Sequence, residues 1–117
     1  MSAKSPTALA LLLVALTSLA ESDTEQGAEV FDDICAICHG EQAQGDEDFE
    51  APKLSGQHDW YLTLQLNNFR AGIRGTHEDD ENGLIMRPMA LTLSDKNIAD
   101  VVAYIVTLDP NFVDEDE

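Results

Sequence analysis

Two cysteines and a histidine form the most reactive group of residues in the chain. Cys35 and Cys38 are three positions apart, and His39 follows at once in the sequence Cys-Ala-Ile-Cys-His. On a helical turn all three side chains point to one face. The thiols can form thioethers with the two vinyl groups of one porphyrin, and the imidazole can then bind the iron as a proximal ligand. This spacing predicts covalent attachment of one c-type haem.

A haem iron that only transfers electrons needs a second axial ligand, and three side chains far from the motif could supply it. They are Met86, Met89 and His77. A methionine thioether favours ferrous iron and raises the reduction potential, whereas a histidine lowers it. Glycine and proline flank the methionines, which favours a loop that approaches the porphyrin. The residue types alone leave the choice between the three open.

Three helical patterns could position these side chains. Apolar residues recur at helical spacing in residues 24–38, in residues 60–73 and from Ser94 to Leu108. Ser94 is expected to cap the last helix, and Pro110 is expected to end it. No alternating strand pattern is present. The sequence therefore predicts an all-α domain with three main helices.

The segments between these helices are long. Residues 40–56 and residues 74–92 contain glycines, prolines and clusters of acidic residues, and neither has a clear apolar period. We expect both to be irregular loops. Loops of this length are unusual in a small domain, but a large prosthetic group would give them something to wrap.

The N-terminal segment predicts export. Lys4 precedes an apolar run from Ala8 to Leu19, and small residues then occupy the positions that a signal peptidase recognises. The run is short for a membrane span, which needs about 20 residues. Residues 1–20 are therefore predicted to be a signal peptide cleaved after Ala20, and an uncleaved anchor is the alternative. The remaining chain is expected to form one domain, residues 21–110, and a disordered acidic tail, residues 111–117.

The charge balance restricts the partners of the chain. It has 6 Lys+Arg against 23 Asp+Glu, a formal net charge of −17. Nucleic acid is excluded as a partner because binding would require cations that neutralise phosphates. Such a surface is either steered towards basic docking surfaces or suited to high external salt, which screens self-repulsion.

Three other uses of the reactive residues compete with electron transfer. A thiol–disulfide oxidoreductase would need a βαβ context and a low-pKa thiol at a helix N-terminus. Zinc binding by the cysteines with His58 or His77 lacks the usual ligand spacing. A ligand-binding haem protein or sensor would need an open sixth position, with neither methionine bound to iron.

The haem motif and four further segments resemble the class I cytochromes c, in particular periplasmic bacterial cytochromes with one or two such domains. The further segments are Gly27 with Phe31, Ala51-Pro52-Lys53-Leu54, residues 56–75, and Met86-Arg87-Pro88-Met89 with the stretch from Leu93 to Ile105. The resemblance covers residues 24–108 and implies the cytochrome c fold, with long loops wrapped round one covalently attached haem. It also implies a periplasmic location.

The resemblance implies a single-electron carrier and not an enzyme. Its partners would be redox proteins: a quinol-oxidising complex or dehydrogenase as donor, and a terminal oxidase or reductase as acceptor. Contact with a membrane is expected only by peripheral docking. A close alternative is a cytochrome subunit of one dedicated redox enzyme.

The resemblance also assigns roles around the haem. In the family the methionine ligand precedes the leucine of the Leu-Ser-Asp helix start by seven residues, which gives Met86 when counted from Leu93 and leaves Met89 as the fallback. Pro52 would accept a hydrogen bond from His39 and fix its ring.

The resemblance further implies three groups of contacts. Leu54, Leu66 and Leu93 would line the haem. Gly27 and Phe31 would cross Tyr104 on the last helix. The polar side chains expected to face the haem propionates are Gln57, Trp60, Tyr61 and Arg74.

Overall fold

Helices dominate the part of the chain that the computed structural model describes, Ala3 and residues 21–115. In chain order the segments are α1 (Thr24–Val30), a π-helical turn (Phe31–Cys35), α2 (Ala36–His39), α3 (Asp59–Ala71), α4 (Glu81–Leu91) and α5 (Asp95–Ile105). Within these residues the only β pairing is an isolated bridge between Asp46 and Ala51. The predicted all-α class is therefore confirmed. Apart from Ala3, the predicted signal peptide lies outside the described residues, as do the last two residues of the tail.

The first helical region departs from the regular α-helix that the apolar spacing predicts. Asp23 caps it by accepting hydrogen bonds from the N–H groups of Glu25 and Gln26. At the π-helical turn the N–H of Ala36 donates to the carbonyl of Phe31, five residues back. The wider turn contains one residue more than an α-helical turn, so the side chains after it are rotated about the helix axis by about one residue. His39 consequently reaches the buried side of the helix, where Phe31 also lies.

Helices α1 and α5 cross at Gly27. A Cβ at this position would lie 2.0 Å from the carbonyl oxygen of Asp100 and 2.9 Å from the Cβ of Tyr104, so only glycine permits this approach. Next to the crossing, the rings of Phe31 and Tyr104 pack with their centroids 5.5 Å apart. The predicted crossing of Gly27 and Phe31 with Tyr104 is present.

The last helix begins where Ser94 predicts, but it ends at Ile105, three residues before the predicted limit at Leu108. Ser94 accepts a hydrogen bond from the N–H of Asn97, whose side chain bonds back to the N–H of Ser94. The helix ends before Pro110. Its buried apolar stripe consists of Ile98, Val101, Val102 and Ile105.

Helix α3 begins and ends close to its predicted limits. Leu62 and Phe69 are buried, and Gly72 ends the helix in the left-handed conformation at φ 73°. Ile73 lies beyond the cap and is 75% exposed, so its predicted place in the apolar stripe is wrong. A left-handed C-cap turns the chain away from the helix axis, and the periodic spacing stops there.

The predicted loop over residues 74–92 is wrong, because α4 occupies residues 81–91. The side chain of Asp80 accepts a hydrogen bond from the N–H of Gly83 and so caps the helix. A Cβ at Gly83 would lie 1.9 Å from an oxygen of Asp80, so this glycine permits the cap. Pro88 stands inside the helix and has no N–H to donate to the carbonyl of Leu84. The described residues thus hold one main helical region more than predicted.

Residues 40–56 form the irregular segment that the sequence predicts. Asp46 and Ala51 exchange two backbone hydrogen bonds of 2.9 Å, which fold the chain back on itself. The carbonyl of Ala43 then accepts from the N–H groups of Leu54 and Ser55.

None of the described helices is long and apolar enough to cross a membrane.

Candidate haem site

His39 has the geometry of a neutral ligand. The residue is only 8% exposed, and its Nδ1 lies 2.8 Å from the carbonyl oxygen of Pro52. A carbonyl can only accept, so Nδ1 carries the proton and Nε2 keeps its lone pair. Burial lowers the pKa of the imidazole and outweighs the opposing effect of the Pro52 bond. The ring is therefore neutral near pH 7, with one nitrogen available to a metal.

The loop after the motif delivers Pro52 to this position. The N–H of Gly45 donates to the carbonyl of His39 at 2.7 Å. A Cβ at Gly45, whose φ is 83°, would lie 2.8 Å from the backbone nitrogen of Lys53. A glycine at position 45 lets the backbone at Lys53 pass close to the end of α2. The hydrogen bond between His39 and Pro52 thus depends on this close approach.

Cys35 and Cys38 are free and half-buried. Burial raises the pKa of the Cys35 thiol to about 11, so it is protonated at neutral pH. A redox-active thiol needs the opposite shift, towards the thiolate. The thiol–disulfide reading is therefore disfavoured, whereas a neutral thioether is compatible with this environment. Among the described residues no group of three His, Cys, Asp or Glu side chains could hold a metal ion.

Both candidate methionines lie on α4, three residues apart. Met86 is half-buried, and Met89 is 41% exposed. A hydrogen bond joins the helix to the rest of the site. Asn82 donates to the carboxylate of Glu50 at 2.9 Å, which connects α4 to the loop that carries Pro52. Ligation of iron by either methionine stays a prediction.

The three leucines expected at the haem all contribute to the core. Leu93 is buried, and Leu54 and Leu66 are half-buried against the same apolar cluster. That cluster also includes Phe31 and Val101. A haem held by Cys35 and Cys38 would therefore adjoin an apolar surface that the protein already provides.

Two of the expected propionate partners point towards other groups. Arg74 is exposed, donates to Gln65 at 2.9 Å, and lies with its guanidinium carbon 4.6 Å from the centre of the Phe69 ring. Gln57 donates to the backbone carbonyl of Lys53.

The two aromatic candidates for the propionates pack on each other. Trp60 stacks on His58 at 6.0 Å and meets the edge of Tyr61 at 5.8 Å. Both Trp60 and Tyr61 are exposed. Contacts of these four side chains with the haem propionates stay a prediction.

Arg87 is a candidate that sequence reasoning did not single out. It follows Met86 and is half-buried, and its Nε is buried without a hydrogen-bond partner among the described residues. An orphaned donor of this kind is unusual in a folded protein. The only sequence signal was a cation next to a candidate ligand. Together with the neutral His39 and the protonated Cys35, this donor fits an anionic, covalently attached haem.

Comparison with known proteins gives one consistent family. A family model described as Cytochrome c matches residues 24–109. The chain is 41% identical over 71 residues to cytochrome c4 of Azotobacter vinelandii. The aligned stretch covers 61% of this chain and 32% of that relative. It is 37% identical over 90 residues to cytochrome c-554(547) of Halothiobacillus neapolitanus. This aligned stretch covers 74% of this chain and 97% of that relative.

A solved structure is also similar. Reduced recombinant cytochrome c4 from Pseudomonas stutzeri superposes with a TM-score of 0.63 at 34% identity, over 74% of this chain and 48% of that one. The chain thus spans less than half of these two cytochromes c4, and nearly all of cytochrome c-554(547).

Proposed function

The chain belongs to the cytochrome c family, and we propose that it is a periplasmic single-electron carrier with one covalently attached c-type haem. The observation that carries this proposal is the buried His39, whose Nδ1 donates to Pro52 at 2.8 Å. This bond holds the imidazole in one orientation and leaves Nε2 free to bind iron. The haem supplies reversible one-electron exchange.

Each residue of the site has a defined task in this proposal. Cys35 and Cys38 would hold the haem through thioethers, and His39 would bind its iron. Met86 would be the second iron ligand: it is less exposed than Met89 and has the spacing that the resemblance implies. With His39 and Met86 both bound to iron, the haem would offer no position to a substrate. The protein would therefore transfer electrons without catalysing a reaction of its own.

The partners in this proposal are other redox proteins. A quinol-oxidising complex or dehydrogenase would donate the electron, and a terminal oxidase or reductase would accept it. The formal charge of −17 supports docking on basic surfaces, including a peripheral approach to membrane complexes. The export pattern of residues 1–20 supports the periplasmic location.

Optical spectra of the exported protein test the proposal. Wild type should contain one haem per chain and, when oxidised, should show the weak red absorption band of methionine-ligated haem. Met86→Ala should lose this band and bind carbon monoxide when reduced, whereas Met89→Ala, the matched control, should keep the band. Loss of the band only in Met89→Ala would reverse the ligand assignment. Carbon monoxide binding by the reduced wild type would favour a ligand-binding haem protein instead.

A further inference from the structure

We propose that Arg87 binds a propionate carboxylate of the haem, an inference that rests on the proposed haem site. Arg87 is half-buried on α4, and its Nε is buried without a partner in the described part of the chain. A buried guanidinium N–H without an acceptor is unfavourable for folding. The acceptor that matches a guanidinium best is a carboxylate, because two of its N–H groups can bond to the two oxygens.

The other basic side chains in residues 21–115 already have acceptors within the protein. These acceptors are the Pro110 carbonyl for Lys53, the Asp95 carboxylate and Leu93 carbonyl for Arg70, the Gln65 amide for Arg74, and the Asp100 carboxylate for Lys96. Arg87 is therefore the cation in this part of the chain that has a buried donor left to satisfy. In a protein with a formal charge of −17, carboxylates of a bound haem would need such a cation.

Two glycines give the Arg87 side chain its path. A Cβ at Gly75 would lie 3.0 Å from the Cβ of Arg87, and a Cβ at Gly72 would lie 3.3 Å from its Nη2. The side chain therefore runs along the turn that follows α3. Arg74 belongs to the same turn but is exposed over the Phe69 ring. The two arginines thus differ in burial and in partners, and the half-buried Arg87 follows the proposed ligand Met86 in the chain.

Three variants of the haem-loaded protein test this inference. Arg87→Gln removes the charge, Arg87→Lys keeps the charge but loses the planar fork, and Arg74→Gln removes an equal charge from an exposed site. Haem content, midpoint potential and the propionate bending modes in the resonance Raman spectrum are measured for each. Only the bending modes report directly on a hydrogen bond to the propionate.

Arg87→Gln should retain haem and shift its propionate modes. An uncompensated carboxylate favours ferric iron, so its ferrous-to-ferric ratio at a fixed potential should fall about tenfold, which is about 59 mV for one electron. Arg87→Lys should keep most of the potential but shift the modes, and Arg74→Gln should change the modes little.

Unchanged modes in both Arg87 variants, or a larger change in Arg74→Gln, would overturn the inference. If Arg87→Gln does not retain haem, the modes of Arg87→Lys decide the question. The haem content and red band of wild type test the proposed function separately, so the two failures are distinguishable.

Discussion

Replacement of Gly27 by alanine should loosen the crossing of α1 and α5. The added Cβ would lie 2.0 Å from the carbonyl oxygen of Asp100, which is backbone and cannot rotate away. Carbon and oxygen approach to about 3.3 Å at closest, so the two helices must separate by roughly 1 Å. The separation also disturbs the packing of Phe31 on Tyr104 and the hydrogen bond from the N–H of Asp23 to the carboxylate of Asp100.

The size of the effect follows from these contacts. Overpacking destabilises by roughly 1–3 kcal/mol, and loss of a hydrogen bond to a charged group adds about 1.5–3 kcal/mol. The better helix propensity of alanine returns only about 1 kcal/mol. The net decrease in the free energy of unfolding should therefore be about 2–5 kcal/mol.

Urea unfolding of the haem-loaded protein, followed by circular dichroism, measures this decrease. Glu29→Ala changes an exposed residue of the same helix and serves as the control, with an expected change within about 0.5 kcal/mol. A Gly27→Ala protein as stable as wild type would refute the reasoning, because helix propensity would then have outweighed the close approach.

Two further predictions concern α5. Asp100 is 1% exposed; burial raises its pKa, but the bonds and charge of Lys96 and the bond from Asp23 lower it more. The ionised carboxylate should stabilise the fold fully at pH values well above the usual pKa of 3.8, and this stabilisation should be lost as the pH falls through the lower pKa of the folded protein. Asp100→Asn should remove this part of the pH dependence of urea unfolding. An unaltered pH profile in the variant would contradict the prediction. Ser94→Ala should lose about 1 kcal/mol because the N-cap bond to Asn97 disappears. Ser22→Ala is its control in the same urea assay, and equal losses in both would argue against the cap.

The sequence predicted the helices whose apolar spacing is regular and whose caps are local. The start of α5 follows from Ser94, whereas its end at Ile105 lies three residues before the predicted limit at Leu108. The crossing of Gly27 with Tyr104 was expected from the family resemblance. The π-helical turn could not be predicted, because Phe31, Ile34, Cys35 and Cys38 have the spacing of a regular α-helix. Only the backbone shows that the turn moves His39 to the buried side.

Glycine and proline in residues 81–91 predict a loop because both disfavour helix interiors, yet α4 forms there. Gly83 instead permits the cap by Asp80, and Pro88 is accommodated inside the helix. The hydrogen bond from His39 to Pro52 was expected from family resemblance. The importance of Arg87 depends on the burial of its Nε and on a missing acceptor, and no spacing of residues reveals either.

The bond between Asp23 and Asp100 also has a kinetic consequence, since it joins residues 77 positions apart. Closing a loop of that length opposes association of its ends by roughly 4 kcal/mol of chain entropy, so the crossing forms only when α5 is available. During synthesis the N-terminal part of the chain appears first. The α1 segment, with Cys35 and Cys38 shortly after it, is therefore exposed before α5 has been made. The thiols are thus accessible on an unfolded segment until the crossing closes the domain.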